Sequence, residues 1–240
     1  MKKNRFPTTR FTLVLNAREH ISAESQAALE TLCEGYWFPL YAFVRRKGYG
    51  PEEAQDLTQG FFARLLERQY LRDYERERGR FRTFLLTSVQ NFLSNERDWA
   101  RTAKRGGGRV VLQLDEVFEN GERRYSLEPR TELTPESIFE KHWANTLLER
   151  TLHRLQADAT EAGNLKQFRR LKGFLTGEES SIPYSQVAET LGTTEGALKV
   201  AVHRLRRRFR EVLHDEIAQT VSHPDQIQDE IRFLTAVVSQ

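Results

Sequence analysis

The 240-residue sequence predicts an all-α protein with two small helical domains joined by a flexible linker. Apolar residues recur at helical spacing along most of the chain, whereas strand-like alternation is scarce. The composition changes at the run Gly106–Gly108, which separates two helical stretches and is typical of a joint. The predicted segments are an N-terminal extension (1–19), a first domain (20–104), a linker (105–135), a second domain (136–220) and a C-terminal extension (221–240).

Three helices are predicted in the first domain, over residues 22–46, 52–68 and 81–103. Pro39 lies inside the first of them and predicts a kink or a break near Trp37–Phe38, because proline removes a helical hydrogen bond. Gly48 and Gly50 indicate a stop, and Pro51 is well placed at the first position of the next helix.

The linker carries a short hairpin signal. Val110–Leu114 and Tyr125–Leu127 flank Glu119–Glu122, and the Asn-Gly pair within that tetrapeptide suits a tight turn between strands. After it, Thr134 followed by Pro135 predicts a helix start, with threonine as the cap and proline at the first helical position.

The second domain is predicted to end in a helix-turn-helix over residues 184–210, after helices at 136–160 and 164–176. Tyr184–Leu191 forms the first helix of the motif, Gly192–Thr194 the turn, and Glu195–Leu213 the second helix. Apolar residues at helical spacing should join the two helices. They are Val187, Ala188 and Leu191 on the first helix, and Leu198, Val202 and Leu205 on the second.

The second helix of this motif has a basic face, and residues 196–210 contain almost no acids. Such a helix can enter the major groove, where its N-terminal part reads bases and its later residues bind phosphate. The base-facing residues are predicted to be Glu195, Lys199, Val200 and His203, and the mainly backbone-contacting ones Arg204, Arg206 and Arg207. The other interpretation is an ordinary amphipathic helix with a solvated basic face.

The helix over 81–103 has a polar face of small side chains, namely Thr87, Asn91, Ser94, Asn95, Asp98 and Thr102. Solvated helix faces usually carry Lys, Glu and Gln, because small polar residues weaken helices. Aromatic and cationic residues alternate just before this face, a pattern suited to an unpaired nucleic-acid strand. They are Tyr74, Arg76, Arg78, Arg80, Phe81 and Arg82. In the alternative, Phe81 and Phe84 belong to a core and the charges are solvated.

The C-terminal extension predicts an acidic amphipathic helix that opens at Pro224. One stripe holds Ile227, Ile231, Leu234 and Val238, and the opposite face holds Asp225, Asp229 and Glu230. Two interpretations are open. The helix packs on the second domain, or it is a regulatory helix that covers the recognition surface or binds a partner.

Several function classes are disfavoured. The single Cys33 excludes an intrachain disulfide, and the six histidines form no metal-ligand cluster, so neither a metal nor a cofactor is expected. No carboxylate pair has the spacing of a two-metal site and no phosphate-binding glycine motif is present, so an enzyme is not expected. No apolar run approaches the roughly 18 residues needed to cross a bilayer, which predicts a cytoplasmic protein without membrane contact.

Three segments in register resemble the sigma factors of bacterial RNA polymerase, specifically the small extracytoplasmic-function group with only domains 2 and 4. They are Asp56–Phe62, Phe81–Leu85 running to Asn91, and Tyr184–Ala188 running through Gly196 to Arg206. The resemblance spans both predicted domains, in the expected order and spacing.

The resemblance implies binding to core RNA polymerase, promoter recognition and DNA opening, with domain 4 docking on the flap of the second-largest subunit. Asp56, Gln59 and Phe62 would contact the clamp helices of the largest subunit. Strand capture at the −10 element would involve Tyr74, Arg80, Arg82, Asn91 and Asn95, and the second helix of the helix-turn-helix would meet the −35 element. Gly60 and Ala201 depart from the family pattern, which carries an acid and often an arginine there. An anti-sigma protein or other regulator stays open as a further partner.

The alternative class is a helix-turn-helix regulator that binds operator DNA independently of polymerase. It would need a ligand-binding or dimerisation domain at residues 20–104, and it does not account for the Asp56–Phe62 segment. Binding to core polymerase distinguishes the two classes.

Overall fold

The computed structural model describes residue 10 and residues 23–66, 80–102, 115–127, 132–176 and 183–239. Over these ranges the chain is helical, as the sequence predicts, and contains no strand; Arg80 and Val221 form one isolated antiparallel bridge. The helices are α1 (Ala23–Arg46), α2 (Pro51–Leu66), α3 (Phe81–Thr102), α4 (Asp115–Ser126), α5 (Pro135–Glu161), α6 (Leu165–Leu171), α7 (Gly173–Thr176), α8 (Tyr184–Thr190), α9 (Glu195–Ala218) and α10 (Asp225–Val238).

Helix starts follow the predicted chemistry. The Thr134 hydroxyl accepts a hydrogen bond from the amide of Ser137 at 3.1 Å, which caps α5 with Pro135 at its first position. Helix α1 continues through Pro39 without the predicted break. Its flanking residues Phe38 and Leu40 are buried, so packing of this segment outweighs the lost hydrogen bond.

The described residues group into two compact units. The first contains those up to Thr146 together with those from Ile217 onward, and the second contains Leu147–Glu216. Each limit falls inside a long helix, α5 or α9. This grouping differs from the predicted domains, 20–104 and 136–220, which lie on either side of the change in composition at Gly106–Gly108.

Aromatic side chains dominate the core of the first unit. Tyr36 lies edge-on to Phe81 with ring centres 5.1 Å apart, and it also stacks near Phe139. The Trp143 indole donates a hydrogen bond to the Tyr36 hydroxyl at 3.1 Å, so this buried polar pair is satisfied. Helices α1, α3 and α5 therefore share one core.

The predicted hairpin in the linker is wrong over the described residues, since 115–126 form helix α4. Gly121 is buried against α1, and a Cβ at that position would lie 2.5 Å from the Trp37 ring. The Asn-Gly pair thus reflects close helix packing rather than a turn. The strand assigned to Val110–Leu114 lies outside the described residues.

Helix α4 is also held on α1 by charge, which corrects the prediction of a flexible linker over this stretch. Arg45 donates two hydrogen bonds to the Glu122 carboxylate, at 3.0 and 3.1 Å, and the Tyr41 hydroxyl donates a third. Burial opposes ionisation of Glu122, but hydrogen bonds from Tyr41, Arg45 and Ser126 outweigh it and hold its pKa below the usual value.

The C-terminal extension forms the predicted helix, α10, in which Ile227 and Leu234 are buried. Two details of the prediction are wrong. Glu230, assigned to the solvent face, is 1% exposed, and Val238, assigned to the apolar stripe, is half-exposed. The helix belongs to the first unit, in which Glu230 pairs with Arg82.

Candidate nucleic-acid interface

The predicted helix-turn-helix is formed by α8 and α9. Ala188 on α8 packs against Leu198 and Val202 on α9, and the cluster continues to Leu171 and Phe174. The partly buried residues around it include the other predicted contacts, Val187, Leu191 and Leu205. The apolar stripe therefore joins the two helices as predicted.

The turn between these helices depends on Gly192. Its φ is +61°, a left-handed conformation that glycine adopts without steric cost, and the next amide, of Thr193, bonds back to the Ala188 carbonyl at 3.0 Å. The Thr194 hydroxyl then accepts the amide of Ala197 at 3.2 Å and caps α9. The start of α9 is thus fixed relative to α8.

The residues predicted to read bases are exposed on α9. Glu195, Lys199 and His203 follow one another at intervals of four residues, and Val200 lies beside them with half of its surface exposed. A large aliphatic side chain exposed on a basic helix suits apolar contact with a thymine methyl group. Lys199 lies 2.6 Å from Glu195, and hydrogen bonding and attraction to that carboxylate raise the pKa of the lysine.

The three arginines assigned to phosphate differ in their surroundings. Arg204 is exposed, whereas Arg206 donates a hydrogen bond to the Phe174 carbonyl at 3.2 Å. Arg207 pairs with Glu211 at 3.1 Å, although its side chain is 73% exposed. Arg206 therefore supports the packing of α7 on α9 in addition to carrying charge.

Basic residues on α6 belong to the same unit and were not singled out from the sequence. Lys166 and Arg170 line a cavity of about 440 Å³ together with Thr193 and Ala197 at the turn and the start of α9. Both cations are exposed. Their signal in the sequence is the run of four basic residues between positions 166 and 172, which precedes the motif.

The polar face of α3 is exposed over its described side chains, Thr87, Asn91, Ser94 and Asn95. The side chains of Asp98 and Thr102, and the residues Tyr74, Arg76 and Arg78, lie outside the described part of the structure. Leu85, Val89 and Phe92 on the opposite side are buried. Helix α3 thus presents small amides and hydroxyls to solvent while its apolar side completes the core.

A shallow pocket of about 280 Å³ lies beside this polar face. Ser94 and Arg97 line it from α3, and Lys47 and Tyr49 line it from the end of α1 and the following turn. Arg97 donates a hydrogen bond to the Tyr49 hydroxyl at 3.3 Å. The sequence analysis named Ser94 but missed Lys47, Tyr49 and Arg97, because Lys47 and Tyr49 are far from α3 in the chain.

Arg82 is buried and Arg80 is only partly exposed, at 32% of its side chain. The side chain of Arg82 is 9% exposed and pairs with Glu230, and Arg80 lies 2.9 Å from the same carboxylate. The sequence assigns both arginines to a DNA strand, whereas the structure buries Arg82 against a carboxylate of the same chain. The physical reason is a long-range ion pair that no local pattern reveals.

The residues predicted to contact polymerase lie on α2. Asp56 is exposed and Gln59 is half-buried, but Phe62 is only 3% exposed and packs near Phe61. The assignment of Phe62 as a surface contact is therefore wrong, because its ring belongs to the core. Gly60 lies between Gln59 and Phe62 in the sequence, and a Cβ there would meet Phe92 at an ordinary contact distance of 3.5 Å.

Within the described ranges, no helix has the length and apolar character that crossing a membrane requires, and no three His, Cys, Asp or Glu side chains are grouped as metal ligands would be. Comparison of the chain with models of known protein families, with curated proteins and with solved structures found no match.

Proposed function

We propose that this protein is a sigma factor that binds core RNA polymerase and directs promoter recognition and DNA opening. The observation that carries the proposal is the geometry of α8 and α9. Their apolar residues pack together, a left-handed glycine forms the turn, and Lys199, Val200 and His203 are left exposed on the second helix. This is the arrangement by which a helix-turn-helix presents side chains to the major groove.

The first unit supports the part of the proposal that concerns DNA opening. Asn91 and Asn95 are exposed on α3, and Lys47, Tyr49 and Arg97 lie at the pocket beside them. Amides, an aromatic ring and cations together suit an unpaired strand, whose bases stack and whose phosphates pair with positive charge. In this proposal the second unit binds the −35 element and the first unit captures the −10 strand.

Helix α2 is the proposed contact with the clamp helices of the largest polymerase subunit, through Asp56 and Gln59. In this role the protein needs no cofactor, catalyses no reaction of its own and acts in the cytoplasm, where polymerase and DNA are found. The family departures at Gly60 and Ala201 leave the promoter sequence to be measured, since neither position offers the side chain common in relatives.

Co-purification with bacterial core polymerase tests the proposal and separates it from a polymerase-independent regulator. The wild-type chain should co-elute with core enzyme, and Asp56→Lys should weaken this complex. Glu161→Lys, an equal charge change at the exposed end of α5, serves as the control. Promoter binding without any association with core polymerase would favour the operator-binding regulator instead.

A further inference from the structure

A single buried carboxylate in the first unit is held by two arginines. Glu230 of α10 is 1% exposed, and its two oxygens accept hydrogen bonds from the Arg82 guanidinium at 2.8 and 3.1 Å. The Arg80 Nε atom lies 2.9 Å from the same carboxylate. Paired, two-point contact of this kind is how guanidinium groups bind both carboxylates and phosphates.

The rest of α10 encloses the same arginines. The Arg82 guanidinium lies 3.8 Å from the centre of the Phe233 ring, and 5.1 Å from that of Trp143 on α5. Asp229 adds a second carboxylate 3.6 Å from Arg80. One face of α10 therefore supplies an anion, a second acid and an aromatic ring, which are the groups that a nucleic-acid strand also offers to arginine.

The connection to α10 is anchored at the start of α3. The amide of Phe81 donates a hydrogen bond to the Thr220 carbonyl at 3.1 Å, and Arg80 bridges to Val221. Helix α10 begins four residues after this bridge. If α10 were displaced from the arginines, this anchor would keep its first residue near them.

A buried ion pair is a poor choice for stability alone, because apolar residues of similar volume stabilise a core at least as well. An ion pair differs from an apolar contact because another anion can replace the carboxylate as the partner of the arginines. The sequence pattern assigns the same two arginines to a DNA strand, and a phosphate of that strand would need the contacts that Glu230 now makes.

We propose that α10 is an internal competitor for single-stranded DNA at Arg80 and Arg82. In the closed state Glu230 holds both arginines, and the strand gains them only when α10 is displaced. This inference rests on the proposed function, because that function is what assigns the two arginines to the −10 strand. The apparent affinity for the strand is then reduced by the fraction of molecules that are closed.

The test uses the full chain and a fluorescein-labelled single-stranded DNA of mixed sequence, with binding followed by fluorescence anisotropy. Glu230→Gln keeps the shape of the side chain but removes its charge. It should raise the affinity by about fivefold or more, as expected when a largely closed population opens. Asp225→Asn, at an exposed acid on the same helix, should leave it nearly unchanged.

The increase in DNA affinity must depend on Arg80 and Arg82. It should therefore be lost in R80Q/R82Q/E230Q, and a gain that persists in this variant would overturn the proposal. An unchanged affinity in correctly folded Glu230→Gln would also overturn it.

Hydrogen exchange of the wild-type chain decides the case if Glu230→Gln does not fold. Saturating the protein with the same oligonucleotide should speed amide exchange in residues 225–238, whereas a purely structural α10 would show unchanged or slower exchange, and that result would refute the competitor role. If these tests fail but the protein supports promoter transcription, only the competitor role of α10 is rejected. If transcription fails but Glu230→Gln raises the affinity for single-stranded DNA, the sigma function is rejected. The role of α10 as a competitor for DNA then still stands.

Discussion

Arg82 and Glu230, separated by 148 positions, form a buried two-point ion pair that joins the start of α3 to the C-terminal helix. The pair connects a segment predicted to bind DNA with a segment that looked peripheral in the sequence. Because both groups are removed from solvent, loss of Arg82 leaves a buried carboxylate whose charge is only partly compensated, by Arg80.

The first prediction concerns this pair. Arg82→Met should lower the free energy of unfolding by about 3–5 kcal/mol, because Glu230 stays buried with only Arg80 to neutralise it. R82M/E230M should recover much of that loss, since the charge and its partner leave together. Urea denaturation followed by circular dichroism measures both values. Equal losses in the single and the double variant would show that packing around Arg82, rather than its charge, dominates.

The second prediction concerns Gly121. An alanine there would place its Cβ 2.5 Å from the Trp37 ring, so α4 must shift or the indole must turn. We expect Gly121→Ala to destabilise the protein by about 1–3 kcal/mol, as overpacking does. Gly196→Ala is the matched control in another helix, where nothing lies within 4 Å of the new Cβ.

That control should be neutral or stabilising by up to about 1 kcal/mol, because alanine favours helix more than glycine. Thermal unfolding of both variants measures the difference. Equal behaviour of the two substitutions would contradict the close packing of α4 on α1.

The third prediction concerns pH. Burial, with the charges of Arg124 and Lys141, lowers the pKa of His142 to about 4. In the unfolded chain His142 binds a proton near pH 6.5, whereas in the folded chain it stays neutral until the pH approaches 4. The contribution of neutral His142 to the free energy of unfolding is fully present above pH 6.5 and is lost as the pH falls towards 4. The free energy of unfolding should fall by about 2 kcal/mol between pH 7 and 5.

Urea denaturation at these two pH values measures that loss. His142→Phe should flatten the dependence, because the titrating group is gone and an apolar ring remains beside Phe38. His153→Phe, at an exposed position on α5, should keep the wild-type slope. A wild-type slope in His142→Phe would mean that other groups carry the effect.

The fourth prediction concerns the exposed face of α9. Removing one phosphate-binding cation should reduce the slope of log affinity against log salt by about 1 and weaken binding to all DNA sequences alike. We expect this for Arg204→Ala in a titration of duplex DNA over a range of salt concentrations. Arg208→Ala is the control on the same helix, because Arg208 already pairs with Asp158 at 2.8 Å. A larger change in the control than in Arg204→Ala would place the DNA on a different face.

The sequence predicted the helices well, because their signals are local. The cap at Thr134, the glycine turn at Gly192 and the apolar stripe of α9 each depend on neighbours within a few positions. The exposed residues of the candidate interface on α9 could be listed for the same reason, since helical spacing separates a buried face from an exposed one.

The errors arose where a distant contact overrides a local pattern. Gly121 resembles a hairpin residue until Trp37 is placed against it, and Glu230 resembles a solvent-facing acid until Arg82 is placed beside it. Neither of these two partners is close in sequence, so no periodicity could have indicated them. Phe62 is a different case, because its neighbour Phe61 and Thr58, one helical turn earlier, are also buried.

The most direct test of the central claim is run-off transcription with purified core polymerase on a library of promoter fragments. Core enzyme with this protein should produce transcripts of defined length from a subset of fragments, whereas core enzyme alone should produce none of them. K199A/H203A should lose these transcripts, because the second unit no longer positions the promoter. The absence of a promoter-specific transcript from every fragment would contradict the proposed function.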